Sequence, residues 1–168
     1  IRFVIGGEGE DFDRYEKLMV HPDRFDVHNK WVSDEEQARM FSEASIVVLP
    51  YVEASQSGVI PFAYNYRKPV IATNIGGLPD MVEHGKTGLL VEPRNVEALA
   101  QAIIELLSDQ ARRMAMGRAG KEKLDRECSP SVVVTQTLEV YAEAVNDRGH
   151  SRRYSVEQQN IHDASSAC

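Results

Sequence analysis

The 168-residue chain is poor in several things, and each shortage removes a class of function. It has two cysteines, Cys128 and Cys168. That is too few for a disulfide framework or a multi-cysteine zinc site, and it fits a reducing, cytoplasmic compartment. Basic residues are fewer than acidic ones, 19 Lys and Arg against 26 Asp and Glu, giving a net charge of -7. Without a dense Lys/Arg block, the chain is a poor candidate for nucleic-acid binding. No apolar run approaches the ~18 residues that a membrane helix needs. The five histidines are scattered without metal-ligand spacing, so no metal is expected. There is no G-x-S-x-G elbow, and no evident nucleophile with its base.

What remains is a 42% hydrophobic chain, enough for one sizeable core. Short β-rich runs alternate with helix-period segments. Ile1 to Ile5 reads as a strand ending in Gly6-Gly7-Glu8-Gly9. Phe12, Tyr15, Leu18 and Met19 recur at helical spacing, and Phe25 to His28 is a second short strand. Ser33-Asp34-Glu35-Glu36 is a capping box that opens a helix carrying Ala38, Met40, Phe41 and Ala44. Ser45 to Leu49 is a continuous apolar strand stopped by Pro50, the pattern of a strand covered on both faces. A helix over 58–66, a strand over 68–73, a short helix over 80–83 and a strand over 89–91 follow. Asn95 caps a helix, Asp109 caps the next to about Glu127, and Pro130 opens a last one through Val145.

This alternation predicts an α/β domain, a Rossmann-like parallel sheet with helices on both faces and a helical C-terminal segment. Residues 1–146 are expected to form that domain, and the polar stretch 147–168 a disordered tail. A strand at the first residue, with no Met before it, suggests a fragment whose upstream part is missing. An exposed apolar edge is then expected at that strand.

In such sheets ligands bind beyond the carboxyl ends of the strands. Four loops lie there, in the ranges 6–10, 30–33, 51–58 and 74–78. Gly7 and Gly9 suit either phosphate approach or a tight turn. Ser55-Gln56-Ser57-Gly58 suits a pyrophosphate held by amides and hydroxyls, and equally a plain serine cap. Glu53 suits a sugar hydroxyl or solvent. Trp31, the only tryptophan, suits base stacking or core packing. Asn74 to Leu78 reads as a connector.

The motif order is similar to a known family. Phe3-Val4-Ile5-Gly6-Gly7-Glu8-Gly9 resembles the opening of the C-terminal domain of GT-B glycosyltransferases. Ile46 to Pro50 resembles the strand before their donor loop. Arg67 to Thr73, then Gly76 to Pro79, then Gly85 to Val91 is very similar to the run in glycosyltransferase family 4. The resemblance covers about residues 1–145. It implies the donor-binding half of a retaining transferase that moves a sugar from a nucleotide-diphosphate donor to a saccharide, lipid or other acceptor. The acceptor would be held by a missing N-terminal domain. It implies no metal, and a parent enzyme that is cytoplasmic or peripheral at the inner membrane face; the fragment alone should be inactive.

The resemblance assigns Gly7, Gly9, Trp31, Gln56, Ser57, Gly58 and Val59 to the donor, and Glu53 to the donor sugar. One departure stands out. The family's pair of donor-loop glutamates falls, in register, on Ala54 and Phe62; Glu53 is one place off. A nucleotide-sugar epimerase of the same architecture, or a degenerate binding domain without turnover, are the alternatives.

Overall fold

The computed structural model describes residues 1–9 and 11–145. The expected polar tail and Glu10 of the first glycine loop lie outside the described residues. The chain divides into two compact units, Ile1–Glu122 and a second beginning at Lys123.

Among its described residues the first unit contains five strands, all paired in parallel, with helices between them. They form two sheets where the sequence suggests one. β1 (Phe3–Gly6) pairs with β2 (Phe25–His28), and β3 (Val47–Leu49), β4 (Val70–Thr73) and β5 (Gly88–Val91) lie in the order β3-β4-β5. The edge of β1 away from β2 and the edge of β3 away from β4 meet no other strand among the described residues.

The three-stranded layer holds the core. All four residues of β4 are buried, as a central parallel strand covered on both faces must be. Ile71 and Leu89 pack with Ala102, Leu106 and Met116. These last three come from α5 (Val96–Ser108) and α6 (Gln110–Cys128). Asn95 caps α5 by accepting from the Ala98 N–H at 2.9 Å, and Asp109 accepts from the Arg112 N–H at 2.8 Å. Gly88 and Gly117 are required by close approach: an added Cβ would overlap the carbonyl oxygens of Val70 and Arg67 respectively.

α3 (Val59–Asn65) carries Pro61 in its first turn, where the missing N–H costs no helical bond. Its Tyr64 is buried and hydrogen-bonds the Thr87 hydroxyl at 2.7 Å. Thr87 also accepts from the Glu83 N–H, so the turn after the short helix α4 (Leu78–Met81) is tied to α3.

The β1–β2 layer is open. Every residue of β1 is exposed, in line with the expected apolar edge. Its internal ties are a Phe3–Phe25 ring stack at 5.1 Å and an exposed Arg2–Asp26 ion pair. The first helix is only α1 (Phe12–Glu16). Tyr15 and Leu18, whose spacing suggests a buried face, are exposed. α2 (Asp34–Glu43) has the expected capping box, with Ser33 Oγ accepting from the Glu36 N–H.

In the second unit a helix runs over 130–145, with Val133, Leu138, Tyr141 and Val145 exposed. No helix among the described residues is long and apolar enough to cross a membrane.

Candidate functional site

The loop from Pro50 to Gly58 leaves the carboxyl end of β3 and leads into α3. Such a loop would be mobile if nothing held it. Here three ties come from the neighbouring strand β4 and the loop after it. The buried Thr73 hydroxyl, at the end of β4, donates to the Tyr51 carbonyl at 2.7 Å. The Gly77 N–H donates to the Ser55 carbonyl at 2.7 Å. Gly76, at φ +51°, lies so close to the Ala54 carbonyl that a Cβ there would overlap it. The Asn74–Leu78 segment is therefore more than a connector. Its two glycines let one loop lie against the backbone of the other.

Between this loop, the start of α3 and one residue of α2 is an open cleft of about 480 Å³. Its walls are Gln37, Tyr51, Glu53, Ala54, Ser55, Gln56, Ser57, Gly58, Val59 and Phe62. The chemistry is polar but nearly neutral, since Glu53 is the only charged residue in that wall. Ser57 is buried, and its hydroxyl accepts from the Val59 N–H at 3.3 Å and meets the Tyr51 hydroxyl at 3.4 Å. The serine thus ties the turn into α3, but it is not the helix cap: that position is Gly58, which has no side-chain cap bond. At the start of α3 the Val59 and Ile60 N–H groups both go to Ser57, to its hydroxyl and its carbonyl, and Pro61 has none.

Of the residues singled out in the sequence, Glu53, Gln56, Ser57, Gly58 and Val59 are brought together in this cleft. Gly7, Gly9 and Trp31 are not among its walls. Gly7 follows β1 directly at φ +137°, a conformation that favours glycine, and its N–H donates to the His28 carbonyl. Gly9 and Asn29 bond reciprocally, with the Gly9 N–H 2.8 Å from Asn29 Oδ1. Trp31 is 84% exposed, so the core-packing reading of it does not hold.

Sequence reasoning missed Gln37; Tyr51 lies in the 51–58 loop it selected and Phe62 at the register position of the family's second glutamate, but neither was assigned to the ligand. Gln37 lies on the helix before β3, and only the fold brings it to the loop. Among the described residues, no three His, Cys, Asp or Glu side chains form a group able to hold a metal ion.

Parallel strands with helices on both faces, and a braced cleft beyond the strands' carboxyl ends, define a Rossmann-like ligand-binding domain. The description of the family whose profile matches residues 1–109 is "Glycosyl transferases group 1". The chain is 34% identical over 150 residues to a D-inositol 3-phosphate glycosyltransferase of Pseudarthrobacter chlorophenolicus, covering 87% of this chain and 36% of that protein. It is 49% identical over 72 residues to a GDP-mannose-dependent alpha-(1-6)-phosphatidylinositol monomannoside mannosyltransferase of Mycobacterium tuberculosis, covering 43% of this chain and 16% of the relative. Among solved structures, sucrose-phosphate synthase from Thermosynechococcus elongatus superposes with a TM-score of 0.74 at 28% identity, over 86% of this chain and 38% of that one. The chain belongs to the group 1 glycosyl transferases and has the C-terminal-domain architecture of the GT-B fold. It spans well under half the length of the curated relatives it matches.

Proposed function

We propose that the chain binds the nucleotide-diphosphate sugar donor of a larger, retaining glycosyltransferase. The observation that carries this reading is the cleft at Glu53–Phe62, held open by Thr73, Gly76 and Gly77, in a chain of this family. The diphosphate lies against the amides of Gln56, Ser57 and Gly58, and Glu53 accepts from a hydroxyl of the donor sugar. In the transfer, the bond from the anomeric carbon to the diphosphate oxygen breaks and the diphosphate keeps the electron pair. A new bond forms to the acceptor oxygen, whose proton passes to the departing diphosphate. Oriented amides stabilise the charge growing on the leaving diphosphate, and no metal is invoked.

The cleft wall contains no Lys or Arg, so any further positive charge on the diphosphate comes from outside that wall. The acceptor is likewise held by a preceding domain of the longer protein. That protein is cytoplasmic or peripheral at the inner membrane face, and the present chain alone does not turn over. The name of the mycobacterial relative supports a nucleotide sugar as donor, with GDP-mannose the first to try. A second reading, a binding domain without turnover, is favoured by Ala54 and Phe62, which stand where the resemblance expects two carboxylates.

Titration calorimetry with GDP-, UDP- and ADP-sugars tests the binding. Weak saturable binding is expected for at least one, reduced about tenfold or more by Gln56→Ala together with Gly58→Val. Absence of binding at millimolar ligand for all three contradicts the proposal.

A further inference from the structure

The loop from Pro50 to Gly58 is closed on itself by side chains as well as braced from outside. Tyr51 stands at its start, with its carbonyl held by the buried Thr73 hydroxyl at 2.7 Å. From that anchor its half-buried side chain reaches across the loop, and its hydroxyl meets that of Ser57 at 3.4 Å. Ser57 is buried, and both residues line the cleft. Among the described residues, the only further hydrogen bond to either hydroxyl comes from the Val59 N–H, which donates to Ser57 Oγ at 3.3 Å.

The protons of this pair determine what it can bind. Two hydroxyls carry two protons, and their mutual bond uses one. The Val59 N–H fills a lone pair of Ser57 Oγ, and the second proton has no acceptor among the described residues. A phenol is the stronger donor of the two, so Tyr51 gives its proton to Ser57 Oγ. Both lone pairs of Ser57 Oγ are then filled, and its own proton is left to donate. A group that only accepts completes the arrangement, and an ionised diphosphate oxygen is such a group. At 3.4 Å the contact is long for two hydroxyls. An anion drawing on the Ser57 proton makes Ser57 Oγ a better acceptor and so tightens the bond from Tyr51.

We propose that Tyr51 is a positioning residue: through its hydroxyl it turns the Ser57 O–H towards the diphosphate of the donor. This rests on the donor-site reading above and adds a side-chain donor to the loop amides. The wall has no Lys or Arg, and the Val59 and Ile60 N–H groups are already engaged by Ser57. A polarised O–H is then a neutral means of stabilising the charge that grows on the leaving group.

The test titrates inorganic pyrophosphate into the full chain by calorimetry. Tyr51→Phe keeps the ring and deletes the hydroxyl. It should weaken pyrophosphate about fivefold, one hydrogen bond's worth, and leave the urea midpoint nearly unchanged. Ser57→Ala should weaken it at least as much, and adding Tyr51→Phe to Ser57→Ala should cost nothing further. The Cζ carbon resonance of Tyr51 reads the hydrogen bond of the phenol directly. It should move when pyrophosphate saturates the unsubstituted chain and stay still in Ser57→Ala, a response that a merely structural tyrosine would not give. An affinity within about twofold in Tyr51→Phe, additive losses in the double variant, or an unmoved Tyr51 Cζ overturns the role of Tyr51 and leaves the donor site standing. If neither pyrophosphate nor GDP binds the unsubstituted chain, the donor reading falls, and the role of Tyr51 with it.

Discussion

The β1–β2 pair and the β3–β4–β5 layer are built from similar material. Both are made of short parallel strands, and β1, β3 and β4 each lead into a loop that carries glycine. Yet β4 is buried along its whole length and β1 is exposed along its whole length. Strand composition therefore does not decide burial; neighbours do. β4 has a strand on each side and helices packed over it, whereas β1 has one strand partner and a stacked Phe pair. The difference extends to the loops. The loop after β3 is braced by Thr73, Gly76 and Gly77, while the loop after β1 is tied by an exposed Gly9–Asn29 pair. A precise cleft needs the first kind of support.

The comparison breaks most sharply if the buried layer tolerates what it should not. Gly88→Ala puts a methyl group into the Val70 carbonyl, deep in the layer. It should cost about 3 kcal/mol or more of unfolding free energy, read by urea denaturation. Gly58→Ala, with open space around its Cβ position and an ordinary φ of -64°, should cost well under about 1 kcal/mol. Next in size is a matched pair. Ile71→Ala, at a fully buried site, should cost about 2–5 kcal/mol. Ile5→Ala, at a site 37% exposed in β1, should cost less than half as much. Equal losses for the pair would mean that β1 is covered in solution.

Smaller effects sharpen the contrast between the loops. Thr73→Val removes the donor to the Tyr51 carbonyl and should cost about 1–2 kcal/mol. It should also speed amide exchange across 51–58 and weaken donor binding. The smallest effect is at the start of α2. A hydrogen bond from Lys30, then one from the Ser33 N–H, holds the Glu36 carboxyl below its usual range. Because the folded value is the lower one, this contribution is complete above the ordinary Glu range, near ~4.3. It is lost as pH falls through the depressed value. Glu36→Gln should flatten that part of the acid-stability profile, with a small loss of stability in the neutral range and almost none at the acid end.

Much of the fold was legible from periodicity and punctuation. Ser33 with Glu36, Asn95 and Asp109 mark helix starts with side chains that bond where their spacing requires. Pro50 and the β-branched run before it mark β3. The split of the sheet was not legible, because strand pairing is long-range and nothing in Val4 or Val47 says which edges meet. The Tyr15 and Leu18 pattern misled for the same reason, since helical spacing names a face but not a partner for it. At the site, the Ser55–Gly58 loop could be found from its small polar residues before a helix. Its supports could not. Gly76 reads as a turn glycine until the Ala54 carbonyl is seen against it. Gln37 carries no motif, and Phe62, 25 positions on, stands at a motif position with the wrong side chain for it.

The account stands on the cleft at Glu53–Phe62 being where a nucleotide diphosphate binds. The most direct measurement is an amide chemical-shift map of the isotope-labelled chain during titration with GDP. The account predicts the largest shifts at Gln56, Ser57, Gly58 and Phe62, with smaller ones at Gly76 and Gly77 behind the loop. Saturable binding whose largest shifts fall instead around Gly7, Gly9 and Trp31, with none at Gln56 to Gly58, would contradict it.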